Sequence, residues 1–310
     1  MLHLEELTWP ELDALDRAKT VVFIAFSPME EHGPHLPIGT DLFMARQIAD
    51  TIARQLETQR PDVTALIMPP VPLGAGTVPM RGSVNVSVDL IFDVARQIGS
   101  AFARDGFRYI VFTNGHLGAW HLLALENAAK WVSRRFRIQA IAPSASLAQG
   151  MIRRGELATV LGDRLSAEGL GELQKAAHGG MLETSVMLRL RPDLVRPGFS
   201  TLPPLTRKAM LGWRGRTPRR WQGYVGNPAL ADAAWGEAAI ERLAAGGAEL
   251  IIRMMDEGKR GAKTAHIFPR VPFWLSVRHM GTLAAAASVG MGVTIAATLI
   301  FARGGNKHRG

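Results

Sequence analysis

The stretch from Met29 to Asp41 reads M-E-E-H-G-P-H-L-P-I-G-T-D and concentrates side chains that bind cations: carboxylates at Glu30, Glu31 and Asp41, imidazoles at His32 and His35. Carboxylate with imidazole is the donor set that suits zinc, manganese or iron(II). Pro34 and Pro37 reduce the entropy lost when such a loop is ordered. Further polar groups stand in short glycine-containing strings: His116 in N-G-H (114–116), and His178 and Glu183 in H-G-G-M-L-E-T-S (178–185). The candidate ligands are Glu30, His32, Asp41, His116 and Glu183, with Glu31, His35 and Asn114 as groups that would orient them. Each has a plainer alternative when taken singly. Asp41 follows Thr40 and could cap a helix, Glu183 could be a first-turn acid favoured by the helix dipole, and a lone histidine such as His116 is more often a hydrogen-bonded structural residue.

Whether these groups meet depends on the elements between them. Val21–Phe26, Val63–Met68, Tyr109–Thr113 and Ile138–Ala142 are short apolar runs that read as buried strands. Asp41–Glu57, Val88–Arg104 and Ala119–Arg135 carry apolar residues at helical spacing, as do a segment opening at His178 and reaching Leu190 and a last one near Ala229–Met255. Strand, loop and helix alternate, which predicts an α/β domain with a mostly parallel sheet covered on both faces. Ligands of such sheets bind beyond the carboxyl ends of the strands, and Glu30, His32 and His116 all fall just past such ends. The Gly- and Pro-rich stretch P-L-G-A-G-T-V-P-M-R-G-S (72–83) is either a surface loop or a pocket wall, its length favouring the wall.

Composition removes several classes. The 310 residues are 47% hydrophobic and contain no cysteine, so disulfides, thiolate zinc sites and cysteine nucleophiles are excluded. No G-x-S-x-G elbow, Walker loop or dinucleotide glycine fingerprint occurs. The formal charge of +9 is local. Six basic residues and no acid lie between 203 and 221, and eight more basic residues and no acid follow Glu257. These outnumber the whole excess, so the main body is mildly acidic and nucleic acid is not an expected partner.

Residues 282–301 form a 20-residue run without a charge, long enough to cross a bilayer as a helix. Basic residues flank both ends, and Phe273 and Trp274 stand where interfacial aromatics are expected. The expected organisation is a metal-binding α/β domain (1–258), a basic juxtamembrane linker (259–281), a single transmembrane helix (282–301) and a basic tail (302–310). The N-terminus lacks the basic and apolar regions of a signal peptide, which predicts a domain on the cytoplasmic side of the membrane.

The string E-E-H-G-P-H-L-P-I-G-T-D (30–41) resembles the E-Q-H-G-P-H-L-P-x-x-T-D signature of the creatininase (creatinine amidohydrolase) family. N-G-H (114–116), H-G-G-x-x-E-T-S (178–185) and G-x-x-G-x-P (223–228) are similar in the same order, and the resemblance spans about Trp9 to Met255. It implies a three-layer α/β sandwich, assembly as a homo-oligomer (often a hexamer), and one or two divalent ions that serve cleavage of a C–N bond in a small amide or modified peptide. It also implies Glu30, His32, Asp41 and His116 as ligands, with Asp41 bridging if two ions bind. Glu183 becomes a ligand or close neighbour with a part in catalysis, and His178 the group that hands a proton to the departing nitrogen.

Two departures stand out. Leu117, Gly118 and Ala119 replace the usual G-G-N after the histidine, and Gly118 stands where true creatininases carry a glutamate ligand. Creatinine is therefore not the expected substrate, and a second ion depends on Glu183 for its carboxylate. Glu31 in place of the usual glutamine adds a negative charge near the site. The alternatives are a peptidase acting on a modified peptide, or a membrane-tethered metal-binding scaffold with weakened turnover.

Overall fold

The computed structural model describes residues 1–153, 178–206 and 221–258, with the isolated positions 169 and 171. Its centre is a five-stranded sheet in the order β1-β3-β2-β4-β5, every pairing parallel. The strands are β1 (Leu2–His3), β2 (Thr20–Phe26), β3 (Thr64–Val71), β4 (Tyr109–Thr113) and β5 (Gln139–Ile141). In β2, Val22, Ile24 and Phe26 point into one core and Val21 and Phe23 into the other. That two-sided burial is why the strand reads as one unbroken apolar run.

Helices α2 (Thr40–Gln59) and α7 (Ala233–Glu257) cover one face, and α3 (Val88–Arg104) and α4 (Ala119–Phe136) the other. This is the expected three-layer arrangement. Local chemistry sets several starts. The Ser87 hydroxyl accepts from Leu90 N at the head of α3, and the Asp232 carboxylate from Ala234 N at the head of α7, each satisfying an otherwise orphaned amide. At α1 (Trp9–Asp13), Thr8 and Glu11 form a reciprocal capping box with Pro10 in the first turn. The acidic N-terminal segment therefore holds regular structure that its composition did not announce. The same is true of α5 (Ser144–Arg153).

β2 and β4 are neighbours, yet the chain leaves β2 for α2 on one face and leaves β4 for α4 on the other. The two loops splay apart and open a crevice at the carboxyl edge, the place where open α/β sheets bind ligands. The third contributor, α6 (Met181–Leu190), packs on α7 and α2 beside that edge.

The basic linker 259–281, the apolar run 282–301, the tail 302–310 and the Arg- and Trp-rich loop 207–220 lie outside the described residues. Among the described residues, no helix is long and apolar enough to cross a membrane.

α7 meets α6 at Gly236, where a Cβ would stand 2.1 Å from the Ser185 carbonyl oxygen. Alanine normally improves a helix by about 1 kcal/mol over glycine, but overpacking against backbone costs about 1–3 kcal/mol. Gly236→Ala is expected to lower the urea midpoint of unfolding; a raised midpoint would show that the two helices separate freely.

Candidate metal centre

The loop after β2 enters the crevice as a tight turn, Glu30 N donating to Ile38 O at 2.9 Å. Glu30, His32 and Asp41 are each only 1% exposed. His32 Nε2 lies 3.2 Å from Asp41 Oδ1 and 3.6 Å from Glu183 Oε2. His116 Nδ1 lies 2.9 Å from Glu30 Oε2 and 3.2 Å from Asp41 Oδ2. Two groupings result, Glu30–Asp41–His116 and His32–Asp41–Glu183, each with its ligand atoms within 4.8 Å of one another. Asp41 belongs to both, one carboxylate oxygen to each. Glu30, His32 and His178 make a third such grouping.

Backbone contacts fix which ring nitrogen faces the crevice. His32 Nδ1 is 3.0 Å from the Glu30 carbonyl, and His116 Nε2 is 3.3 Å from the Ala75 carbonyl. Each carbonyl takes one ring N–H and leaves the other nitrogen facing the carboxylates, where an ion would meet its lone pair, the usual way a second layer orients imidazole ligands. The carboxylates are held as well. Val78 N donates a short hydrogen bond to Glu30 Oε1, and Gly179 N donates to Glu183 Oε2 at 2.6 Å. Gly179 has φ +61°, and a Cβ there would sit 2.8 Å from the His32 carbonyl oxygen, so only glycine brings that amide so close.

The β4–α4 loop is set by Asn114, whose Oδ1 accepts from Ser27 Oγ at 3.0 Å and His116 N at 2.8 Å while its Nδ2 donates to His116 O. His35 joins the ligand loop to α6 through Thr184 Oγ1 at 2.9 Å. Glu31 Oε2 accepts from Gly33 N at 3.0 Å, and His178 Nε2 donates to the Glu31 carbonyl at 2.6 Å while its ring stacks on His32 at 4.2 Å between centroids.

The expected site residues thus come together. Asp41 does not cap α2; Glu183 is a first-turn acid of α6, as its plainer reading has it, and faces His32 as well as the Gly179 amide. The 72–83 stretch is a pocket wall, since Ala75 and Val78 both touch ligands. What the residue types did not disclose are contributors acting through main chain or small hydroxyls: Ala75, Val78, Gly179, Ser27 and Thr184. Paired Gly and Pro near the wall were the only signal for them.

Glu30 Oε2, His32 Nε2 and Asp41 Oδ2 are buried with no hydrogen-bond partner outside the imidazoles and carboxylates of the cluster itself. Oxygen and imidazole donors without thiolate fit zinc, manganese or iron(II). The residues therefore fit one or two divalent ions.

Electrostatics supports the same reading. Burial works against a charge on His32, but Asp41, Glu183 and Glu30 outweigh it and push its pKa up to about 10. Burial likewise opposes charge on His116, which Glu30 and Asp41 nevertheless raise well above the ordinary imidazole range. Burial would raise Asp41, yet His32 and His116 hold it well below the usual carboxylate range. Without metal, protons on the two imidazoles balance the buried carboxylates.

A family model described as creatininase, creatinine amidohydrolase, matches residues 5–251. A mycofactocin precursor peptide peptidase of Mycolicibacterium smegmatis is 27% identical over 243 residues, covering 75% of this chain and 85% of that protein. A creatinine amidohydrolase of Pseudomonas putida is 27% identical over 203 residues, covering 61% of this chain and 72% of that protein. Among solved structures, a creatininase described as its Mn form superposes with a TM-score of 0.62 at 20% identity, over 83% of this chain and 99% of that one. A creatininase mutant described as Zn-Zn type gives 0.61 at 20% identity, over 83% and 98%.

Because both imidazoles carry protons in the metal-free chain, a divalent ion must displace them. Calorimetry at pH 7 in buffers of different ionisation heat should show release of about two protons as both groupings fill, and apparent affinity should rise roughly tenfold per pH unit for each proton displaced. Binding without proton release would mean that the ion sits elsewhere.

Proposed function

The chain belongs to the creatininase family, and from that premise we propose that it is a divalent-metal-dependent hydrolase of C–N bonds in amides. The observation that carries the reading is one buried carboxylate, Asp41, shared between two imidazole–carboxylate groupings. Glu30, Asp41 and His116 would hold one ion, and His32, Asp41 and Glu183 the other. Such ions supply acidified water and Lewis-acid polarisation of a carbonyl.

The chain's own residues supply the rest. His178 is the least buried of the clustered imidazoles, its side chain 17% exposed against 1% for His32 and 8% for His116. With Nε2–H tied to the Glu31 carbonyl, Nδ1 is the atom that would take a proton from the attacking water and pass it to the departing nitrogen. Stacking on His32 fixes the plane of that ring. Glu183, held by the Gly179 amide, keeps His32 oriented from the other side of the grouping.

Within this class we place peptide-type amides ahead of creatinine. A Cβ at position 118 would stand 2.2 Å from His116 Nε2, so this backbone accepts no carboxylate from the position where true creatininases carry a glutamate. The relatives also include peptide peptidases from several mycobacterial species. Anchoring by residues 282–301, with the domain on the cytoplasmic side, completes the proposal on the strength of the sequence alone.

Full-length protein loaded with Mn²⁺ or Zn²⁺ is expected to cleave one or more members of a panel of small amides, cyclic amides and short peptides. His178→Ala should keep its metal and lose turnover by about 10²–10⁴-fold, the usual contribution of a placed acid or base. Stoichiometric metal with no cleavage across the panel would replace the enzyme with a metal-binding scaffold. For the anchor, truncation after Gly258 should move the protein from the membrane fraction to the supernatant; an unchanged distribution would remove residues 282–301 from the account.

A further inference from the structure

His121 is fully buried on the first turn of α4. The neighbouring inward positions of that helix, Leu122, Leu125, Ala128 and Ala129, are apolar. An imidazole at zero exposure among such neighbours carries a desolvation cost that leucine or phenylalanine would avoid, so its polar atoms require a partner that matters.

The partner is the pocket wall. Ala75 N donates to His121 Nδ1 at 3.4 Å, and the Ala75 carbonyl takes the hydrogen bond from His116 Nε2 at 3.3 Å. One residue, Ala75, thus joins the two rings through its two flanking peptides, and the rings also meet edge to face at 5.5 Å. His121 therefore ties the turn after β3 to the start of α4. It stands behind His116, on the Nε2 side, whereas Nδ1 faces Glu30 and Asp41. None of the groupings able to hold an ion among the described residues includes it.

We propose that His121 is the positioning residue for the Glu30–Asp41–His116 ion position: by accepting from Ala75 N it holds the Ala75 backbone, whose carbonyl in turn keeps the His116 ring with Nδ1 toward the carboxylates. This rests on the metal-centre reading above. It also gives physical content to the altered string after His116. Gly118 leaves the space that the His116 ring and the Ala75 carbonyl occupy, and support for the ring comes from the wall instead of from a side chain at 118.

The test is Mn²⁺ titrated alone into the full-length chain, with free Mn²⁺ read by electron paramagnetic resonance. His121→Phe keeps an aromatic ring and removes the acceptor; His121→Asn restores an acceptor near the position of Nδ1. Affinity in H121F is expected to fall about 10- to 100-fold at one ion position and to stay unchanged at the other, the range typical of lost outer-layer support. H121N should recover to within about threefold of the parent chain, as an intact hydrogen bond to the ligand's support predicts. Parent-like affinity in H121F, or an H121N as weak as H121F, would overturn the role of His121. If H121F does not fold, H121N decides alone: recovery supports the proposal and weakening overturns it. A parent chain that binds no Mn²⁺ or Zn²⁺ would overturn the metal centre itself, and this proposal with it.

Discussion

One carboxylate governs the arrangement of the site. Asp41 sits in the first turn of α2, 1% exposed, with its two oxygens each 3.2 Å from a different imidazole. A buried carboxylate between two buried imidazoles is tolerable only if the charges offset one another, because an unpaired charge in that environment costs several kcal/mol. Every other ligand is arranged around that requirement. Glu30 completes one side and Glu183 the other, and the main-chain contacts of Ala75, Val78 and Gly179 aim the ligands at the shared centre.

The topology makes the convergence possible without a specialised scaffold. Because β2 and β4 are paired but send their chains to opposite faces, the two loops carrying Glu30, His32 and His116 separate at the sheet's edge and leave room between them. α6 then brings Glu183 from more than a hundred residues away, and its seating on α7 depends on Gly236 allowing backbone contact. Second-layer bonds cross the same gap. His35 reaches Thr184, next to Glu183, and so links the ligand loop to α6.

Much of this was legible in the residue order, for a physical reason. Strands buried on both faces appear as unbroken apolar runs, and Tyr109–Thr113 matches β4 at both ends; the same holds for Val88–Arg104 as α3. Ligand types clustered in loops were legible because carboxylate and imidazole are costly to bury without a purpose. Two kinds of feature were not. β1 has only two residues, too few to show any period. The aiming of His32 and His116 depends on carbonyls of Glu30 and Ala75, and a carbonyl is common to every residue type. His121 was missed for a related reason: its neighbours mark a core helix, and nothing in its spacing from His116 announces that the backbone of one residue, Ala75, links them.

The altered string after His116 bears on whether the centre turns over substrate or merely holds an ion. A structural site tends to close its coordination with protein ligands, whereas a catalytic one keeps a position open for water or substrate. Each grouping here offers three protein donors, with Asp41 counted in both. Gly118 cannot add a fourth, since any side chain there would overlap His116 Nε2. Glycine at 118 instead keeps room on the Nε2 side for the His116 ring and the Ala75 carbonyl. The departure from the creatinine-cleaving pattern thus leaves the candidate ligand set and its orienting backbone in place, with three protein donors to each grouping. Coordination left open in that way is the reason to weigh turnover above scaffolding.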